Sequence, residues 1–204
     1  MKKWIAVSGG LLLTLLFFGV SIASPIVDGD PSDWSPVMKI YHETSEAHPI
    51  PEVADIVDVY FTSDNDYLYW RFDTVLTTDW DQIGLVAICM DTDNRSANDA
   101  ACGPCSSDYV IKIDPSAQQV AELWTNATCE PVPNADVQAF SLDMVTEVAV
   151  KRADVGLGSP ACYPFCDIPS SVFLESADAA ERDESGILIA RTSQILFLPL
   201  MGKQ

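Results

Sequence analysis

Short runs in which apolar and polar residues alternate, parted by turn-forming residues at intervals of roughly eight to twelve positions, recur through most of this chain. Between Tyr67 and Val75, Leu68, Trp70 and Phe72 alternate with Tyr69, Arg71 and Asp73. Just before them, Ile56 to Thr62 sets Val57, Val59 and Phe61 against Asp58 and Tyr60, and Asp64-Asn65-Asp66 reads as the turn between the two runs. A period of two is that of a strand with one face in a core, so this pair predicts a hairpin. Gln119 to Thr125, Val137 to Leu142, Val145 to Lys151 (Val148 and Val150 against Glu147 and Ala149), Ile187 to Ala190 and Ile195 to Leu198 read as further strands, and Met38 to Tyr41 as a short one. No stretch sustains a helical period. The pattern predicts an all-β fold, one antiparallel β-sandwich.

Residues 84 to 113 concentrate the polar chemistry. Gly84 to Met90 is continuously apolar and Asp108 to Ile113 alternates, so two buried strands flank a loop with Asp91, Asp93, Asn94, Asp99 and the pair Cys102-Gly-Pro-Cys105. That loop has three readings. Clustered carboxylate and amide oxygens suit calcium, which takes six to eight oxygen ligands in irregular geometry. The same residue types build solvated turns by bonding their own backbone. The Cys pair is also the redox motif of thioredoxins letter for letter.

Met1 to Ala23 carries Lys2 and Lys3, an apolar run from Leu11 to Val20, and small residues at Ser21 and Ala23. This predicts a secretory signal peptide over residues 1–23, with a single domain over 24–204. An uncleaved anchor is the alternative, since the apolar stretch from Trp4 is nearly long enough to span a bilayer. Losing Lys2 and Lys3 with no acid moves the net charge from −19 to −21. Such an excess argues against nucleic acid and anionic membrane surfaces as partners and favours divalent cations. With the signal cleaved, no stable membrane insertion is expected, because the C-terminal run ILFLPLM is short and broken by Pro199. Six cysteines fit an oxidising, extracytoplasmic location, secreted or in the cell envelope. Spacing suggests local staples, Cys102 with Cys105 and Cys162 with Cys166, leaving Cys89 and Cys129 to pair across strands or stay reduced. Ala153 to Pro169 reads as a loop rich in Gly, Pro and Cys, and 175–185 as an acidic loop or one short helix.

Asp28-Gly29 followed by Asp33-Trp34, then VDVYFTSDNDYLYWRFD, the apolar strand ending in Asp91-Thr92-Asp93-Asn94, Asp108-Tyr109 and a late strand TEVAVKRADVG form a succession. In order and spacing it resembles the family 9-like carbohydrate-binding modules and their DOMON-type β-sandwich relatives, over nearly the whole mature chain. The resemblance implies a jelly-roll-like sandwich with structural calcium and, in carbohydrate-binding members, a cleft where aromatic rings hold a sugar. It assigns calcium or loop-structuring roles to Asp28, Asp30, Asp55, Asp91, Asp93, Asn94 and Asp108. The cysteine-bearing insertion at 97–106 departs from the family, where this loop is shorter.

Sugar rings stack on exposed Trp or Tyr beside carboxylates and amides. Trp80 (with Asp79 and Asp81), Trp124 (with Glu122 and Asn126) and Tyr163 are the candidates here, while Trp34 and Trp70 read as core. The only histidines, His42 and His48, share one loop, and HETSEAH misses H-E-x-x-H because Glu46 takes the second histidine's place. No phosphate-cradling glycine loop is found. A redox CGPC should follow a strand and open a helix whose N-terminus lowers the thiol pKa, whereas here Ser106-Ser107-Asp108 leads into a strand. Asn94-Arg95-Ser96 and Asn126-Ala127-Thr128 are glycosylation sequons. The expectation is a non-catalytic carbohydrate-binding module stabilised by calcium. The alternatives are a structural or adhesive cell-envelope sandwich without a sugar site, and a secreted thiol-disulfide oxidoreductase.

Overall fold

The computed structural model describes residues 24–43, 55–75, 80–95, 100–101, 105–114, 120–157, 167–176, 182–185 and 188–191. The segment 1–23 expected to be a signal peptide, His48, Cys102, Tyr163, the expected Cys162 and Cys166 staple and the strand expected at Ile195 to Leu198 lie outside them.

Two antiparallel sheets face each other. The first contains β1 (Lys39–His42), β2 (Ile56–Ser63), β3 (Tyr67–Thr74), β11 (Val145–Lys151) and β10 (Val137–Leu142), in that spatial order. In the second, β12 (Asp167–Ser176) pairs on one side with β13 (Arg182–Glu184) and β14 (Leu188–Arg191). On its other side follow β4 (Ile83–Met90), β7 (Tyr109–Ile113), β8 (Ala121–Thr125) and β9 (Glu130–Pro131). A two-stranded ribbon, β5 (Ala100–Ala101) with β6 (Ser106–Ser107), sits in the cysteine loop.

The period-two pattern decides which face is covered. Val59, Phe61, Leu68, Trp70, Phe72, Val148 and Val150 from the first sheet meet Val86, Ile88, Met90, Ile111, Leu123, Val172 and Leu174 from the second in one core. Trp70 is fully buried and tilts against Phe61 with ring centroids 5.1 Å apart. A bulge between Ile56 and Asp58 shifts the register of β2, which is how Ile56 and Val59 both face the core.

The outer faces are covered as well. The segment from Ser24 to Met38 crosses the outside of the first sheet and places Trp34 and Met38 against Tyr60, Tyr69 and Ala149. On the second sheet, Ala87, Cys89, Val110 and Phe173 form an outer apolar cluster with Cys105 packed on it.

Two expectations are corrected here. The ten-residue β12 covers Asp167–Ser176, where the sequence reading placed loop as far as Pro169 and an acidic loop or helix from 175. Pro169 masks the strand in sequence because it lacks an N–H. In the structure it lies beyond the end of β4, pairs with Ile189 of β14, and its carbonyl accepts the Asp91 N–H at 2.9 Å. Further on, Arg182–Glu184 is strand rather than helix, paired with Phe173 to Glu175.

Candidate functional site: an acidic cleft at the ends of β4 and β7

Strands β4 and β7 pair from Val86↔Ile113 to Met90↔Tyr109, so the segments beyond them, 91–95 and 107–108, emerge side by side. There the Asp108 N–H donates to the Met90 carbonyl and the Asn126 N–H to the Asp108 carbonyl, which carries the pairing past the strand ends. This convergence brings one carboxylate oxygen each of Asp91, Asp93 and Asp108 within 4.8 Å of one another. The three are 17 positions apart at most in sequence, and only the β4–β7 pairing makes them neighbours.

Asp108 organises the loop. Its Oδ2 accepts the Thr92 N–H at 2.8 Å, the Thr92 hydroxyl at 3.0 Å and the Asp93 N–H at 3.2 Å. Asp91, nearly buried, accepts the Arg95 N–H on Oδ1 at 3.2 Å. Asn94 between them takes a left-handed φ of 54°, which Asn tolerates better than most residues. The turn reading and the cation reading therefore describe the same residues. The carboxylates fold the loop, and the three acids are gathered closely enough that they could hold a metal ion.

The cluster adjoins a cleft of about 720 Å³ lined by Thr92, Asp93, Asn94, Ser107, Asp108 and Tyr109 on one side and by Val155, Gly156 and Leu157 on the other, with Arg95, Thr125, Ala127 and Asp167 completing it. The second wall is the turn after β11, tied by the Leu157 N–H to the Arg152 carbonyl at 2.8 Å and anchored by the buried Val155 and Leu157. Tyr109 packs its ring against the core. Burial, with a smaller contribution from the Asp108 charge, raises its phenol above the ordinary value.

The other residues expected to hold calcium stand apart from this group. Asp28 and Asp30 belong to the N-terminal strap, where the Asp28 carboxylate accepts the Asp30 N–H and the Asp30 carboxylate the Ser32 N–H, each at 2.9 Å. Asp55 precedes β2, and its carbonyl accepts the Val75 N–H at 3.1 Å.

Of the expected aromatic platforms, Trp80 and Trp124 are described and do not line the cleft. Trp80 is half-buried and packs against the central core. Trp124 lies on the outer face of the second sheet, with Lys112 Nζ 4.0 Å above its ring centre and its indole N–H donated to Glu122 at 3.1 Å. Sequence reasoning passed over Tyr109, because its alternation with Ile111 and Ile113 marks it as core. It is core by its ring and cleft by its hydroxyl.

The cysteine pairing is corrected. Cys105 is bonded to Cys89, 16 residues away, and not to Cys102. Cys129 is in a disulfide too, so it does not take Cys89 as partner either. Both features that a CGPC redox centre needs are missing from this arrangement: Cys105 is committed to another strand, and strand β6 follows it directly. Of the two sequons, Asn126 is buried and its side-chain amide donates to Ser107 Oγ at 2.8 Å, whereas Asn94 is exposed.

A second organised carboxylate went unread in the sequence. Glu147 alternates with Val148 and so falls on the outer face of β11, yet it is fully buried beneath the strap. Its Oε2 accepts the Gly29 N–H at 2.7 Å and the Asp28 N–H at 3.0 Å, and its Oε1 accepts the Trp34 indole N–H at 2.7 Å. The Asp-Gly and Asp-Trp of the opening motif thus dock on one buried acid.

No protein-family model matches this chain, and no curated protein sequence matches it.

Proposed function

We propose that this protein is an exported, non-catalytic carbohydrate-binding module whose sugar site is the cleft at the ends of β4 and β7, with a calcium ion held by Asp91, Asp93 and Asp108. The observation that carries the reading is the cleft itself: carboxylates, an amide, hydroxyls and a tyrosine converge on one concavity above a sandwich locked by a disulfide. The resemblance to family 9-like modules supports it through the succession of motifs. Calcium there would neutralise three crowded acids and fix the loop that forms half the cleft.

Thermal unfolding tests it directly. A ligand that binds only the folded state stabilises it by RT ln(1 + [L]/Kd), so about 1 mM calcium at a micromolar site adds roughly 4 kcal/mol. The midpoint is expected to fall in EDTA, to recover in excess calcium, and to lose that response in Asp93→Asn. Cellohexaose, xylohexaose and mannohexaose are then screened in calcium. No shift with calcium and none with any sugar sinks the proposal.

The second reading, a structural or adhesive envelope domain of the same fold, draws on the positions of the tryptophans. Trp80 packs on the core and Trp124 has Lys112 over its ring, which leaves neither as an open stacking platform. A calcium response without any sugar response would favour it.

A further inference from the structure

Among the side chains that line the cleft, the Arg95 guanidinium and the Tyr109 hydroxyl carry hydrogen-bond donors with no partner among the described residues, as do the smaller Asn94 amide and Thr125 hydroxyl beside them, and Arg95 is the one cation of the lining. Arg95 is fixed at its backbone, where its N–H is held by Asp91, while its side chain is exposed. Tyr109 has its ring against the core, and its hydroxyl lies 4.0 Å from where a side chain on Gly156 would begin. Gly156, at φ +74°, leaves that space open.

The acids of the cleft are in the opposite condition. Asp108 Oδ2 takes three bonds from Thr92 and Asp93, Asp91 takes one from Arg95, and Asp93 and Asp167 have partners of their own. A count of charges alone would call this an anion-repelling site. Those bonds fall on Asp108 Oδ2 and Asp91 Oδ1 and leave the other oxygens of the pair facing the cation site, so the group of the lining that can meet an anionic ligand is the Arg95 guanidinium. A guanidinium is a planar fork that matches a carboxylate in two parallel bonds, and a neutral hydroxyl cannot use it fully.

We infer that the sugar taken by this cleft carries a carboxylate, a uronic acid, clasped by the Arg95 fork with Tyr109 donating to a neighbouring oxygen. The inference rests on the carbohydrate-binding reading. The net charge of −19 opposes an anion at long range. At physiological salt that field is screened beyond about 8 Å, and the calcium ion proposed at Asp91, Asp93 and Asp108 would offset the acids that lie closer than that.

Calorimetric titration of the purified protein compares hexagalacturonate and a hyaluronan hexasaccharide, each beside its methyl ester, which keeps the backbone and removes the charge. At least one acid form is expected to bind about tenfold or more tightly than its ester. Arg95→Gln should abolish that preference, Arg95→Lys should retain part of it, and Tyr109→Phe should weaken binding about fivefold. Unfolding midpoints of the variants within a degree or two of the parent confirm that the fold is intact. Equal binding of acid and ester, or binding of only the neutral hexaoses, overturns the inference and leaves the carbohydrate reading standing. No binding of any saccharide removes both.

Discussion

Trp34 and Glu147 meet across 113 residues of chain, the indole N–H donating to the buried carboxylate at 2.7 Å. The contact ties the strap after Ser24 to the outside of β11, on the face opposite the core. Deleting Glu147 would leave two backbone N–H groups and an indole N–H without their acceptor. Each orphaned buried donor costs about 1–3 kcal/mol, so Glu147→Ala is expected to be severely destabilising. Trp34→Phe, which removes one donor and keeps an aromatic ring, should cost about 1–2 kcal/mol in denaturant unfolding. A loss below 0.5 kcal/mol in Glu147→Ala, within the usual range for surface changes, would mean that the strap does not depend on this acid.

Glu147 also makes a pH signature. Burial pushes its carboxyl above the ordinary value, and the three donors only partly oppose this. A raised folded pKa contributes stability that is fully present below the unfolded value of 4.5 and is lost as pH rises through the folded pKa. The stability of the parent relative to Glu147→Gln should therefore decline as pH rises above 4.5. Parallel curves for the two proteins would contradict the raised pKa.

Asp58 has the opposite sign. Burial alone would raise it, but hydrogen bonds from Lys39 and His42 prevail and hold it below 3.8. Its contribution is present above pH 3.8 and is lost as pH falls through the lower folded value. The pair with Lys39 is partly exposed, so Asp58→Asn should cost only about 0.5 kcal/mol at pH 7, with the difference from the parent closing in acid. Urea unfolding at pH 2 to 7 reads both, and a gap that persists unchanged at pH 2 would show that the ion pair is not its source.

The Cys89–Cys105 bond joins the strand that leads to Asp91 with the segment that leads to Asp108. Closing a loop of this length contributes about 3 kcal/mol, which corresponds to a midpoint lowered by roughly 6–12 °C in the double Cys→Ala variant. Because Asp91 and Asp108 flank it, the proposed calcium site should be weakened in that variant as well, read as a smaller calcium-dependent shift of the midpoint than in the parent. Peptide mapping without reduction should recover the 89–105 linkage, and a 102–105 linkage in its place would refute the arrangement.

Gly29 sits at φ +81°, and a methyl group there would come within 2.7 Å of Leu142 Cβ and 3.0 Å of the Phe140 ring. Gly29→Ala should cost about 1–3 kcal/mol through strain and overpacking. Gly156→Ala, equally left-handed but with only the Tyr109 hydroxyl at 4.0 Å, should show the strain without the clash and fall below it. Equal losses in the two would mean that packing at Gly29 is immaterial.

The sequence by itself determined most of the longer strands, because side chains alternate along β structure and one buried face must be apolar. Leu68, Trp70 and Phe72 announce β3 whatever surrounds them, and the bounds of β10 and β11 follow from the same rule. It also determined that the acidic and amide side chains around Asp91 belong to one loop. Tertiary structure decided what covers each outer face, since alternation marks a residue as facing away from the core without saying whether water or a strap lies there. Glu147 reads as solvated for that reason and is buried, and Cys105 pairs with Cys89 because it packs on the outer face of the second sheet, where Cys89 lies. The same holds for β12, whose Pro169 breaks the sequence signal although the strand end it occupies asks nothing of its missing N–H. The cleft is of this kind too. It needs the pairing of β4 with β7 and the turn at 152–157 brought opposite Tyr109, contacts between residues far apart in the chain that no local pattern encodes.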